Sequence, residues 1–241
     1  MNVCSSSSTI LVFARAPVPG HVKTRLAARL GAAGAAEAHR ACTLDAVALV
    51  SSLPGCARRL LFAGEASAWQ QPGLAPGAGW EIEPQHGRDL GERLENAFAD
   101  AFRRGAKKVV VIGTDTPWMG AARLRTALAW LDGEDVVLGP SFDGGYYLVG
   151  ARRMVPEIFR GIAWGTSNVL YATRLALERA FASYRMLGWD FDLDRPADLG
   201  RARALLRDRP LRAPRLDAFL RSAIGQAERS MTTASEERTQ T

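Results

Sequence analysis

The stretch KKVVVIGTDTP, Lys107 to Pro117, decides how this chain folds. Val109 to Ile112 are consecutive β-branched residues with no polar alternation. That is the pattern of a strand buried on both faces, in a parallel sheet covered by helices. The run stops at Gly113-Thr114-Asp115: a turn former, a hydroxyl and a carboxylate. In open α/β sheets ligands lie beyond the carboxyl ends of the strands. A carboxylate there is partly desolvated and needs compensation, from a cation or from a helix it caps through Pro117. From this stretch alone the two are evenly balanced.

Strands and helices alternate on either side. Thr9–Ala14 is a second run without alternation. Helices are predicted over Lys23–Leu30 and Ala35–Ser52, the latter stopped by Pro54-Gly55. Arg58–Ala63 and Trp80–Glu83 read as strands around a Pro/Gly loop, Gln70–Gly79. Asp89–Arg104 is helical, with Leu90, Leu94, Ala97, Phe98, Ala101 and Phe102 on its apolar stripe. Downstream, Ala121–Leu131, Asn168–Ala182, Pro196–Leu206 and Leu216–Gln226 read as helices. Asp135–Leu138, Tyr146–Val149 and Tyr184–Leu187 read as strands. This order predicts an α/β fold of three layers, α/β/α, around a mostly parallel mixed sheet. The turn Asp143-Gly144-Gly145 supplies an antiparallel addition. No repeat or linker divides the chain, so residues 1–228 are expected as one domain and the polar 229–241 as a disordered tail.

Composition excludes several classes. The 241 residues are 47% hydrophobic, with no apolar run approaching the roughly 18 residues of a membrane helix. The start, MNVCSSSSTILVF, lacks the layout of a signal peptide, which makes the cytoplasm the default expectation. Cys4, Cys42 and Cys56 form no CxxC and are expected as thiols rather than a disulfide framework or zinc site. The net charge is +6, yet the cations are mostly arginines spread over helices and not interleaved with aromatics. Nucleic acid and membrane are therefore not expected as partners. His21, His39 and His86 do not cluster, and none stands beside a serine or cysteine, so covalent acyl chemistry is not indicated.

The loop after the first strand, ARAPVPGHVKTR, is neither a GxGxxG fingerprint nor a GxxxxGK[ST] cradle. It is a stiff turn built on Pro17, Pro19 and Gly20, with Lys23 and Arg25 expected on a helix's opening turn. Cations oppose the helix dipole there, so the arrangement favours a bound anion over a solvated basic face. In GWDFDLDRPADL, an extended backbone puts Asp190, Asp192 and Asp194 on one side and Phe191 and Leu193 on the other. Three like charges call for a cation. Asp194 has an alternative use as a helix cap, and Asp190 as an exposed residue; Asp192 has no evident local use. In GPSFDGGYYLVG, Asp143 either holds the turn or meets a ligand hydroxyl, while Gly144 and Gly145 allow a ligand near the backbone. Thr166, Ser167 and Asn168 read as a cap and as an anion-accepting helix start. Asp89 with Glu92 reads as a capping box, leaving Arg88 and Arg93 as substrate contacts or solvent-facing residues.

Together FARAPVPGHVKTRL, DLGERL, GTDTP, GPSFDGGYYLVG, WGTSNVL and DFDLDRPADL resemble the bacterial DUF2064 family, over about residues 9 to 200. That family is placed in the nucleotide-diphospho-sugar transferase (GT-A) superfamily, a Rossmann-like fold, and is similar to phospholactate and molybdenum cofactor guanylyltransferases. The resemblance implies Lys23 and Arg25 at the phosphates of a nucleotide, with Asp115 as a third catalytic residue. Ala14, Arg15, Pro19 and Gly20 would line the same nucleotide loop, joined by Gly91, Arg93 and Thr114. Asp115, Asp192 and Asp194 would hold Mg²⁺ or Mn²⁺. Asp143, Gly144, Gly145, Thr166 and Ser167 would face a small-molecule acceptor. The chain departs from sugar transferases of this fold in having Thr114-Asp115-Thr116 where DxD is usual. It also lacks the glycine-rich loop that nucleotidyltransferases often carry. The function implied is metal-dependent nucleotidyl transfer from a nucleoside triphosphate to a small phosphorylated acceptor. Glycosyl transfer from a nucleotide sugar is the first alternative, and nucleotide binding without turnover the second. The base, the acceptor and the oligomeric state are not written in the sequence.

Overall fold

In the computed structural model, residues 7–70 and 73–223 are described. They form one sheet from seven strands: β1 (Ser8–Arg15), β2 (Ala57–Ala63), β3 (Glu81–Pro84), β4 (Lys108–Ile112), β5 (Val136–Pro140), β6 (Tyr146–Ala151) and β7 (Tyr184–Met186). Their spatial order is β3-β2-β1-β4-β6-β5-β7. Only β6 runs against the others, paired antiparallel to both β4 and β5. The antiparallel addition therefore lies inside the sheet. The chain steps outward from β1 to β2 and β3, then returns to the other side of β1 with β4. That reversal opens a crevice between the carboxyl ends of β1 and β4.

Strand residues divide between two helical layers by the period of two. Ile10 and Val12 face α1 (Ala27–Ser51) and α3 (Ala121–Trp130) in a core with Val47, Leu124 and Leu128. Leu11, Val109 and Val111 face α2 (Leu90–Arg103) and α4 (Val169–Arg179), with Phe98, Leu170 and Leu177. Ile10, Leu11, Val109 and Ile112 are wholly buried, each contributing about 1.5–3 kcal/mol by leaving water. A third cluster joins α1 to α5 (Pro196–Asp208) and a last helix at 214–223, and contains Trp118, Phe191 and Leu193.

Three details differ from the sequence reading. The helix after the first loop begins at Ala27, not Lys23, because Lys23 has a left-handed backbone (φ 48°) and residues 24–26 form turns. Gly31 (φ 69°) kinks that helix where a break was expected. Cys42 is a buried thiol, whereas Cys56 is disulfide-bonded. The tail at 229–241 and Cys4 lie outside the described residues. Among the described residues no helix is long and apolar enough to cross a membrane.

Candidate active site

Four loops meet at the carboxyl edge: 16–26 after β1, 113–117 after β4, the β5–β6 turn at 141–145, and 187–195 after β7. Backbone hydrogen bonds fasten them together. Leu193 N–H donates to the Asp115 carbonyl (2.8 Å), Asp190 N–H to Pro140 (3.1 Å), and Phe142 N–H to Asp190 (2.9 Å). Segment 190–193 is thus an extended tie between the β4 loop and the β5–β6 turn. Its alternation buries Phe191 and Leu193, as the sequence implied.

The first loop reverses at Val18–His21, where His21 N–H donates to the Val18 carbonyl (3.0 Å) and Gly20 supplies φ 82°. Lys23 then turns inward. Its Nζ lies 2.7 Å from Asp115 Oδ1 and donates to the Leu193 carbonyl, leaving the side chain 4% exposed. Left-handed backbone costs a residue with a β-carbon about 1–2 kcal/mol, and this buried pair opposes that cost. Burial pulls the Lys23 pKa down most, but the charge and hydrogen bond of Asp115, with Cys42 and Asp194, together outweigh it and leave the ammonium above its ordinary value. Burial likewise pushes the Asp115 carboxyl up, and Lys23 and then His39 more than offset it, holding the acid low. Asp115 keeps 48% of its side chain exposed.

The three aspartates expected at one cation each have a different partner. Asp194 pairs with Arg25 (2.6 Å), so Arg25 reaches across the cup instead of lying on a helix's first turn. Asp192 accepts hydrogen bonds from Thr116 Oγ1 and Ser141 Oγ, both at 2.7 Å. Burial raises its carboxyl to about 6, with the nearby charges of Asp115 and Asp143 adding to the shift. Asp190 is buried, not exposed, and accepts from Trp118 Nε1 (3.0 Å) and Arg123. Among the described residues no three acidic, histidine or cysteine side chains gather to chelate an ion. Asp194 also does not cap α5 as anticipated; Asp198 instead accepts from the Asp194 and Arg195 N–H groups.

The remaining expected contacts divide. Ala14 and Thr114 are buried, and Arg15 and Pro19 are exposed at the loop. Among the described residues the Arg15 guanidinium has no ion pair, while its carbonyl meets His39 Nε2 at 3.0 Å. Gly91 has a packing role: a β-carbon there would stand 2.3 Å from Trp164 Nε1 and 2.4 Å from the Phe159 carbonyl. Arg93 donates to the Gly87 carbonyl (3.0 Å), and Arg88 closes on Glu92. Asp89 caps α2 as anticipated, accepting from Glu92 N–H at 2.9 Å. Asp143 holds its turn through Gly145 N–H (2.9 Å), with its charge also felt at Asp192. A β-carbon on Gly144 would come within 2.0 Å of the Ser167 carbonyl, and Leu170 N–H donates to Gly144 (2.8 Å). The DGG turn and the start of α4 are therefore one packed unit. Asn168 makes no side-chain cap; Thr166 instead accepts from Asn168 N–H. Sequence reasoning missed Ser141 as a partner of Asp192, and His39 beneath the loop; nothing local in GPSFDGG or along α1 marks either.

A sheet reversed between β1 and β4, with an acid closing the central strand beneath a basic loop, defines the nucleotide-diphospho-sugar transferase class of fold. The chain belongs to the DUF2064 family, described as uncharacterized protein conserved in bacteria, whose profile matches residues 46–166. A crystal structure from Desulfovibrio desulfuricans G20, provisionally assigned as a nucleotide-diphospho-sugar transferase, is 32% identical. It covers 92% of this chain and 98% of its own, with a TM-score of 0.85. Two more distant structures share the fold. CMP:2-keto-3-deoxy-manno-octonic acid synthetase complexed with CTP is 14% identical, over 84% and 99% of the two chains, with a TM-score of 0.52. The 4-diphosphocytidyl-2C-methyl-D-erythritol synthase of Anaerococcus prevotii DSM 20548 is 8% identical, over 83% and 97%, with a TM-score of 0.54. No curated protein matches the chain.

Proposed function

We propose that this chain transfers a nucleotidyl group from a nucleoside triphosphate to a small phosphorylated acceptor with the help of Mg²⁺ or Mn²⁺. The observation that carries the reading is the meeting of Lys23, Asp115 and Asp192 at the mouth of the β1–β4 crevice. The fold it shares with two cytidylyl-transferring synthases supports the same class. Asp115 and Asp192 fit a hard divalent cation. Both are oxygen donors, and the Asp192 carboxyl is pushed up chiefly by burial and further by the charges of Asp115 and Asp143, a cost to its ionised form that a cation would relieve. One or two carboxylates plus substrate phosphates are the usual holders of Mg²⁺. Asp194, committed to Arg25, is left out of the set.

A bound cation would neutralise phosphate charge and align the reacting oxygens. The chain's own residues do the rest. Lys23 and Arg25 now rest on Asp115 and Asp194, and each exchanges its carboxylate for a phosphate oxygen when the triphosphate enters. An acceptor phosphate oxygen bonds to the α-phosphorus as the α–β bridging bond breaks and pyrophosphate departs with its electrons. A phosphate acceptor needs no general base, in keeping with His39 being buried and held neutral chiefly by desolvation. Thr116 and Ser141 orient Asp192 throughout.

Thermal shift with triphosphates and nucleotide sugars, each with and without Mg²⁺ or Mn²⁺, tests this. Stabilisation by a triphosphate only with metal, lost in Asp115→Ala, is expected. Stabilisation by a nucleotide sugar alone would move the reading to glycosyl transfer, which the provisional assignment of the Desulfovibrio protein favours. Equal triphosphate binding without metal would leave a non-catalytic nucleotide binder.

A further inference from the structure

β1 outruns its neighbour on one side. It stays paired with β2 as far as Arg15 and Ala63, but with β4 only to Val12 and Ile112. The first loop therefore leaves the sheet from a strand end without a ladder on its β4 side. The peptide group joining Arg15 to Ala16 is nevertheless held at both its polar atoms. Ala16 N–H donates to the Ala63 carbonyl (3.1 Å), and the Arg15 carbonyl lies 3.0 Å from His39 Nε2. Holding both ends of one planar unit fixes its rotation, and with it the direction in which the next residues set out. Those residues run through the turn at Val18–His21 to Lys23 and Arg25.

Stability alone does not call for a histidine at position 39. It is 5% exposed on α1, among the wholly buried Ala35, Ala38 and Cys42. A carbonyl oxygen only accepts, so Nε2 carries the ring proton and Nδ1 is left with a lone pair. Among the described residues Nδ1 has no hydrogen-bond partner. A buried polar atom without one is destabilising, and an apolar side chain of similar size avoids that penalty. The ring is also near enough to the cup for the charges of Asp115 and Lys23 to act on it. What the histidine supplies, and a leucine does not, is one N–H on the Arg15 carbonyl. We propose that His39 is a positioning residue of the nucleotide site: its Nε2–H sets the Arg15–Ala16 peptide so that the loop delivers Lys23 and Arg25 to the phosphates. It touches no substrate and moves no proton. The inference rests on the transfer reading for the identity of the ligand.

Isothermal titration of the full chain with the Mg²⁺ complexes of ATP, GTP, CTP and UTP tests it, on wild type, His39→Leu and His39→Gln. His39→Leu is expected to weaken the tightest of these ligands by about tenfold, the scale of one hydrogen bond to a charged group. His39→Gln, whose amide N–H reaches toward the same carbonyl, should keep most of the affinity. In an Arg25→Ala background His39→Leu should cost less, because part of what the loop delivers has already gone. Unchanged affinity in His39→Leu, a loss that His39→Gln shares in full, or a loss that simply adds to that of Arg25→Ala overturns the proposal. Should His39→Leu not fold, His39→Asn takes its place, since the shorter amide falls short of the carbonyl; affinity equal to that of His39→Gln is then the refuting result. Triphosphate binding that ignores Mg²⁺, or binding of nucleotide sugars only, sinks the transfer reading alone, and the same variants are compared on the nucleotide that binds. A metal-dependent response indifferent to His39 sinks the positioning role alone. Binding of no nucleotide overturns both.

Discussion

Asp115→Asn and Lys23→Met break the same ion pair, and they should cost the fold different amounts. Lys23 keeps 4% of its side chain exposed and Asp115 keeps 48%. Neutralising Asp115 strands an ammonium inside the protein, with the Leu193 carbonyl as its remaining hydrogen-bond acceptor. Leaving a buried charge unpaired costs about 3–5 kcal/mol. Removing Lys23 leaves a carboxylate that water reaches through the cup, so about 1–2 kcal/mol is lost. At about 2–4 °C per kcal/mol for a chain this size, Tm should fall roughly 6–20 °C in Asp115→Asn and roughly 2–8 °C in Lys23→Met. The assay is calorimetry at pH 7 without metal or nucleotide. The pH dependence has a definite sign. The Lys23 pKa is raised above 10.5, so its share of stability is complete below that pH and lost as pH climbs through the folded value. The Asp115 pKa is held below 3.8, so its share is complete above that pH and lost as pH falls through the folded value. The deficit of Lys23→Met should accordingly be flat at neutral pH and shrink in strong acid. A loss in Lys23→Met equal to or larger than that in Asp115→Asn would refute the burial asymmetry behind this reasoning.

Asp192, whose carboxyl is raised from 3.8 to about 6, holds a proton in the folded state that the unfolded chain has released between those values. Its contribution to stability falls as pH rises through that window and is level above it. The Tm difference, Asp192→Asn minus wild type, should therefore be more positive at pH 8 than at pH 4.5; the reverse order in a thermal-shift series would contradict the shift. Asp190→Ala removes the acceptor of Trp118 and Arg123 and should cost about 3–5 kcal/mol by urea denaturation. A change under about 1 kcal/mol would show that the buried network is dispensable. Gly144→Ala places a methyl 2.0 Å from the Ser167 carbonyl at φ 92°. Hydrogen exchange at Leu170, whose N–H donates to Gly144, should quicken well before the central strands do; unchanged protection there would count against the packed turn.

The sheet was legible because its signal is repetitive. The unbroken apolar runs of β1 and β4 read as strands covered on both faces, and their order identifies the crevice. The placement of Phe191 and Leu193 in the core followed from alternation alone. What alternation cannot supply is the identity of a distant partner. Asp190 meets Trp118 and Arg123 from another part of the chain, and Asp192 meets Ser141 across the sheet edge. Lys23 was singled out as a site residue, but its conformation and its pairing with Asp115 escaped for a related reason. Its neighbours in sequence suit a helix, and the left-handed turn that aims it at Asp115 reflects a tertiary contact outweighing local preference. At Gly144 the need for a bare backbone was visible, but the atom that demands it, the Ser167 carbonyl, was not.

The single reversed strand, β6, has a consequence for how this scaffold changes over time. Because β6 runs backwards between β4 and β5, part of the binding edge is closed by a tight turn rather than by a strand-to-helix crossover. Altering a crossover loop disturbs the helix it feeds, whereas residues at a turn's tip vary without repacking a layer. Phe142 and Asp143 lie on that tip, while Lys23 and Asp115 are tied into the buried frame. Phe142 is the residue of that tip left outside the packing, since Asp143 holds the turn through Gly145 N–H and Gly144 seats against Ser167, a constraint built into one strand's direction.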